Sequence, residues 1–444
     1  MENIKENNFG LNIKHRNKMC FFYYKKIIFI IKIISFLSIF NITQVRPNKL
    51  FNFASEIHLL ILGSGNQRIL SDSFYLDPSE VIVNGIKRNS CKKFCELDYE
   101  ENNITLYFND IVESCYLMFY QLNNIKHIDL SNFDFSSVTE MSHMFRGCTS
   151  LEKIYFGNAN TSLVQNMMAV FYNCSKLTSL NLSSFETSSV KSMEGMFYNC
   201  TELSSIDLSN FNTKNVISLR LFFFKCEKLT SVDLSNFDTS KVTDMSHLFG
   251  YCTILKTINL GYMNTASLMN IQCLFYCCYK LESIDLSSFD TSLVTNMGWM
   301  FLCCYDIKYI ILSESFKTSN VLTMYSMFKS CISLISLNLS SFDTTKVTEM
   351  YYMFKSCIKL KYLDISNFAP LNLTVISQMF YNMDSLIYLN IYSLEINSET
   401  KKYSSFYKFP NSTKICANQM NMKDNISSLK IINNCSDICL GKRY

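Results

Sequence analysis

From residue 115 onward, apolar positions return at fixed intervals. Cysteines stand at 148, 174, 200, 226, 252, 278, 304, 331 and 357, each step 26 residues except the 27 between Cys304 and Cys331. The same register reaches back to Leu122 and forward to Met383. Counting from the recurring cysteine as offset 0, offsets 3, 6 and 8 are apolar, as in Leu281, Ile284 and Leu286. A polar offset 7 between apolar 6 and 8 predicts a short half-buried strand. Offset 11 is usually Phe, for example Phe237 and Phe289. Offsets 12–14 read Asp-Thr-Ser or close to it, a helix-starting pattern. Offsets 16, 19, 22 and 23 are apolar again, as in Val242, Met245, Leu248 and Phe249. That spacing predicts one face of two to three helical turns. Gly or Asn at offset 25 then suits a helix end that tolerates a left-handed backbone.

One strand and one helix do not bury their apolar stripe alone, whereas stacked copies bury a continuous core. The expected fold is therefore an α/β repeat solenoid, leucine-rich-repeat-like. It has one parallel strand plus one short helix per 26-residue coil, about eleven coils, and a small β-rich N-terminal cap. The boundaries expected are 1–53 for an N-terminal tail, 54–114 for the cap, 115–392 for the solenoid and 393–444 for a C-terminal cap or tail. Within the cap, residues 57–62, 80–83 and 104–108 read as strands that close the first sheet edge.

The repeat, written Leu-x-x-Ile-Asp-Leu-Ser-x-Phe-Asp-Thr-Ser-x-Val-Thr-x-Met-x-x-Met-Phe-x-x-Cys, resembles that of BspA-type leucine-rich repeat surface proteins. Units 200–226, 226–252, 278–304 and 331–357 match it most closely. Units 148–174, with Phe156-Gly157-Asn158-Ala159, and 304–331, with Ser313-Glu314-Ser315-Phe316, depart from it. The resemblance implies surface display and binding of other macromolecules, and names no ligand.

The N-terminus bears on location. Basic residues Lys5, Lys14, Arg16, Lys18, Lys25 and Lys26 precede an apolar run from Ile27 to Phe40. A basic front before a run shorter than a spanning helix resembles a secretory signal. An uncleaved anchor or a buried core segment are the other readings, because no small-residue cleavage site follows. Both membrane readings place the bulk of the chain outside the cytosol. An extracellular or cell-surface location is expected, with membrane association only through residues 20–40 if they are retained. Eleven Asn-x-Ser/Thr sequons permit glycosylation there.

Composition narrows the function. A net charge of +4, from 41 basic and 37 acidic residues, gives no indication of a nucleic-acid partner. No phosphate-loop, nucleophile-elbow or zinc-protease pattern occurs, so no catalytic residue, cofactor or metal site is assigned. The recurring cysteines read as a buried column of free thiols, with Cys273, Cys277 and Cys303 as a local cluster beside it. The cysteines of the cap and tail are the better disulfide candidates. His143 and His247 share offset 21 four coils apart and read as solvated. A column of Asp and Asn at offset 7 reads as a solubilising ladder, or as a cation-binding strip.

The outward sheet face is read from offsets 4, 5 and 7. In the middle coils it is small and polar. In the last four it carries Tyr309, Ile311, Ile335, Tyr362, Ile387 and Tyr388. Apolar and Tyr side chains gathered on adjacent strands read as a contact surface, as a strip covered by residues 393–444 folding back as a cap, or as a homodimer face. The expected partner is a protein or glycan on another cell or in the matrix. An intracellular scaffold and a shortened receptor ectodomain are the alternative readings.

Overall fold

A computed structural model describes residues 55–396, 399–408, 410–418, 430–432 and 435. The apolar run at 27–40 and Cys439 lie outside the described residues. The N-terminal strands are β1 (Ser55–Leu62), β2 (Gly65–Arg68), β3 (Glu80–Val83), β4 (Ile86–Lys87), β5 (Phe94–Leu97) and β6 (Glu101–Phe108). In β1 the burial alternates, so Ile57, Leu59 and Ile61 face the core. The solenoid strands are β7 (Ile125–Asn132), β8 (Lys153–Tyr155), β9 (Ser231–Asp233), β10 (Thr257–Asn259), β11 (Ser283–Asp285), β12 (Tyr309–Ile311), β13 (Tyr362–Asp364) and β14 (Tyr388–Asn390). Two more follow, β15 (Lys414–Cys416) and β16 (Lys430–Ile432).

The coils stack in parallel register. Ser231 pairs with Thr257, Ser283 with Tyr309, and Tyr362 with Tyr388. At the N-terminal end β1 lies antiparallel to β7, which pairs in parallel with β8 on its other side. The sheet order β4-β3-β6-β1-β7-β8 thus occupies the edge that the first coil would expose.

The expected helix is absent. Among the described residues no helix is found, and offsets 16–25 form a second ladder of parallel rungs instead. Eleven bridges at offset 18 run from Ser114–Glu140 to Val375–Lys401. Backbone bookkeeping explains how these rungs replace a helix. Amides at odd offsets reach the next coil: Met141 donates to Asn166, His143 to Met168, Phe145 to Val170 and Gly147 to Tyr172. Amides at even offsets close turns within the coil: Met144 donates to Met141, Arg146 to His143 and Cys148 to Phe145. The offset-20 amide is taken by the offset-18 side chain, as Ser142 donates to Glu140 Oε1, so these donors are satisfied without an i to i−4 bond. The third residue of the first and last of these turns is left-handed, as at His143 (φ 57°) and Gly147 (φ 84°), which makes them type II turns. Side chains three residues apart therefore point inward together. Inward positions at offsets 16, 19, 22, 23 and 26 resemble the helical 3.6 over so short a segment.

The inward side chains form columns. Twelve Phe rings at offset 23, from Phe119 to Phe406, stack at centroid spacings of 5.3–6.2 Å. The nine recurring cysteines are free and buried. Each donates its thiol to a Phe carbonyl of the preceding coil at 3.0–3.3 Å. Leu234, Phe237, Met245 and Phe249 are all buried, as their offsets require. The Thr of Asp-Thr-Ser is buried too. Its hydroxyl donates to the offset-12 carbonyl of the next coil, 2.6–3.1 Å away, in seven successive coils from Thr161 to Thr318. The helix-cap reading of this triplet is therefore replaced by an inter-coil hydroxyl ladder.

The parallel register runs past residue 392. Gln378 donates to Tyr403 and Phe380 to Ser405, and β15 pairs with β14. Lys402 and Ser405 stand at offsets 19 and 22, where other coils carry apolar residues, so the sequence pattern fades while the backbone pattern continues. Disulfides join Cys91 to Cys95 and Cys416 to Cys435, whereas Cys115 is free and buried.

Candidate partner-binding surface

The offset-7 residues shape the edge of the sheet face. Asp207 Oδ1 accepts the Ser209 amide and Asp233 Oδ1 the Ser235 amide, both at 2.9 Å. Asn181, Asn259 and Asn338 do the same for residues two further on. This column is a row of Asx turns that ends each strand. The Ser209 amide and hydroxyl hold the Asp207 carboxyl below the usual carboxylate range, and Ser235 with Asn259 does so for Asp233. Among the described residues no group of three or more His, Cys, Asp or Glu is placed to hold a metal ion. His143 and His247 are half-buried on left-handed turn positions, and burial lowers the pKa of both, so they are not solvated helix residues.

On the outward face, Tyr309, Ile311, Ile335, Tyr362 and Ile387 are 49%, 51%, 44%, 37% and 45% exposed, while Tyr388 is only 6% exposed. Tyr388, expected outside with them, is thus buried. It lies in an inner strand of the β13-β14-β15-β16 ladder, with Tyr362 opposite it on one side and Lys414 on the other. Residues 414–416 extend this sheet edge to edge. Consecutive coils tie the exposed residues together: the Ile335 amide donates to Lys308 at 3.2 Å, and that of Ile387 to Lys361 at 2.8 Å. Lys308 pairs with Glu282 at 3.0 Å at the border with the polar coils.

The turn ladder carries a second set of partly exposed side chains. Arg146 lies over the Tyr172 ring at 4.5 Å, Tyr172 stacks on Tyr198 at 4.0 Å, and Tyr198 on Phe224 at 5.2 Å. Further on, Lys329 and Lys355 flank the Tyr352 ring at 4.9 and 5.0 Å. Sequence reasoning missed this row because it followed the apolar offsets and did not trace offset 24. The signal was present in the recurrence of Arg146, Tyr172, Tyr198 and Phe224 at one offset.

Parallel strands and turn rungs repeating every 26 residues define a β-solenoid of about eleven coils. The chain belongs to the family described as "Mycoplasma protein of unknown function, DUF285", which matches it over 113–232, 217–311 and 306–419. No curated protein matches the sequence. Among solved structures, the chain is similar to a leucine-rich cell surface protein from Faecalibacterium prausnitzii A2-165, with 16% identity and a TM-score of 0.33 over 74% of this chain and 85% of that one. It is also similar to the chain in a TLR13–ssRNA13 complex, with 15% identity and a TM-score of 0.27 over 69% of this chain and 50% of that one. Neither likeness bears on partner or activity.

Proposed function

We propose that this protein is a non-enzymatic binding protein, displayed at the cell surface or secreted, that presents the sheet face of its last coils to a protein or glycan. The observation that carries this reading is the exposure of Tyr309, Ile311, Ile335, Tyr362 and Ile387 on adjacent coils. Apolar and Tyr side chains left in solvent on a rigid scaffold suit a contact surface. The resemblance to BspA-type surface proteins points the same way. The disulfides Cys91–Cys95 and Cys416–Cys435 support an oxidising compartment, and with it export, over an intracellular scaffold. The test is retention on an array of matrix proteins and glycans. Tyr309→Ser with Tyr362→Ser is expected to abolish the spots bound by the native chain while the thermal midpoint barely moves. An array on which the native chain binds nothing, or on which the variant binds as the native chain does, overturns the reading.

A further inference from the structure

Thiols of this chain fall into two environments. Those of the recurring column give their S–H to Phe carbonyls, and burial pushes them up, to about 12 at Cys148, Cys200 and Cys357. Cys277 and Cys303 stand beside that column, both at offset 25 of adjacent coils, both left-handed (φ 59° and 62°). The Cys277 amide donates to Leu302 at 2.8 Å and the Cys303 amide to Lys329 at 2.9 Å, so their rungs are in register. In-register rungs on adjacent coils set the two side chains next to each other. Cys277 is buried and Cys303 is partly open to solvent.

The surroundings of the two sulfurs differ. Around Cys303 gather the Cys277 thiol, the Tyr305 phenol, the Ser330 hydroxyl and the charge of Lys329. Three donors and a cation at one sulfur favour its thiolate. The Cys303 thiol is accordingly held down, to about 6, chiefly by the hydrogen bond from Cys277. The same bond and burial push Cys277 up, so it keeps its proton. Tyr279 stacks on Tyr305 at 4.9 Å and walls the pair on one side. A partly exposed cysteine whose pKa is lowered, beside a buried one whose pKa is raised, is the pairing of an attacking and a resolving cysteine.

We propose that Cys303 and Cys277 form a redox-modifiable pair, in which a hydroperoxide oxidises Cys303 and Cys277 then closes a disulfide between adjacent coils. In the first step the Cys303 thiolate attacks one oxygen of hydrogen peroxide. An S–O bond forms, the O–O bond breaks, and the departing hydroxide takes a proton from solvent. The sulfur loses two electrons to the peroxide and becomes a sulfenic acid. In the second step the Cys277 sulfur attacks that of Cys303. The S–S bond forms, the S–O bond breaks, and the hydroxyl leaves as water with the Cys277 proton. Neighbouring strands spaced about 4.8 Å apart place the two Cα atoms within disulfide reach. The column thiols share that spacing but are engaged with Phe carbonyls. This chemistry is independent of the binding surface proposed above.

The test uses the full reduced chain and peptide mass mapping. In the native fold at neutral pH, iodoacetamide is expected to alkylate Cys303 on the order of 100-fold faster than the column thiols. Hydrogen peroxide is expected to yield a Cys277–Cys303 linkage that dithiothreitol reverses. With Cys277→Ser, Cys303 remains a sulfenic acid that dimedone traps. With Cys303→Ser, peroxide leaves Cys277 reduced. Alkylation of Cys303 at the rate of the column thiols overturns the proposal, as does native chain whose Cys303 is oxidised without linkage to Cys277.

Discussion

A buried hydroxyl is tolerated when both its donor and its acceptor capacity are used. Thr187 meets this condition: its Oγ1 donates to the Asn212 carbonyl at 3.1 Å and accepts the Asn212 amide at 2.8 Å. Thr187→Val keeps the shape and strands both backbone groups of Asn212. The expected loss is about 1–3 kcal/mol of stability in denaturant titration. Exposed Thr178→Val is expected to stay within about 0.5 kcal/mol of the native chain. Comparable losses for the two would mean that the hydroxyl ladder contributes nothing. The residue type was visible in the sequence, since Thr recurs at this offset, but its role was not. A Thr after Asp reads as a local cap, and its true partner lies 25 residues away. The recurring cysteines were more legible. Their spacing alone indicated a buried thiol column, because a position repeating once per coil stacks on itself.

At the scale of the element, the turn ladder and a helix make opposite demands on Ala169. It is buried and left-handed, with φ 54°. In a helix interior Ala169→Gly costs about 1 kcal/mol. On a left-handed rung the Ala side chain carries a penalty of about 1–2 kcal/mol that Gly lacks. Ala169→Gly is therefore expected to leave the thermal midpoint unchanged or raise it, and Ala169→Val to lower it. A clear drop for Ala169→Gly, or a far-ultraviolet circular dichroism spectrum with the helical double minimum, would contradict the ladder. Val242, Met245, Leu248 and Phe249 are spaced as a helical stripe would be, so spacing alone did not separate the two structures. β-branched residues in the same stretch, such as Val242 and Thr243, suit extended rungs better than helix. This signal was weaker than the amphipathic pattern, because the hydrogen bonds that decide between the two structures run between coils.

The whole molecule repeats its turn carboxylates, so their titration is a property of the stack. Asp207, Asp233, Asp238 and Asp290 are each held below the ordinary value of 3.8 by Ser hydroxyls and amides two residues on. A folded pKa below the unfolded one means that the unfolded chain binds protons first as pH falls. Their contribution is complete above the unfolded value and is lost as pH drops through the folded values. The thermal midpoint is expected to hold from neutrality to about pH 5 and to fall between about pH 4 and pH 2. Replacing Asp207 and Asp233 with Asn should flatten that fall, since Asn181 and Asn259 make the same turn without a charge. A combined variant with an unaltered acid profile would count against the turn carboxylates as its source.

The 26-residue recurrence by itself determined that this chain is a stack of like coils, and which side chains line the core. Any residue repeating at one offset lies beside its copies, so Phe249 and Cys252 had to be buried together once the period was known. The same logic placed Tyr309, Ile311 and Ile335 outside. The path of the backbone between those positions was decided only by tertiary structure, since the odd amides of one coil need the even carbonyls of the next. So was the burial of Tyr388, which depends on β15 following at its side. The pairing of Cys277 with Cys303 depends likewise on two coils meeting in register, because hydrogen bonds and side-chain contact are made across the stack while the sequence pattern is read along the chain.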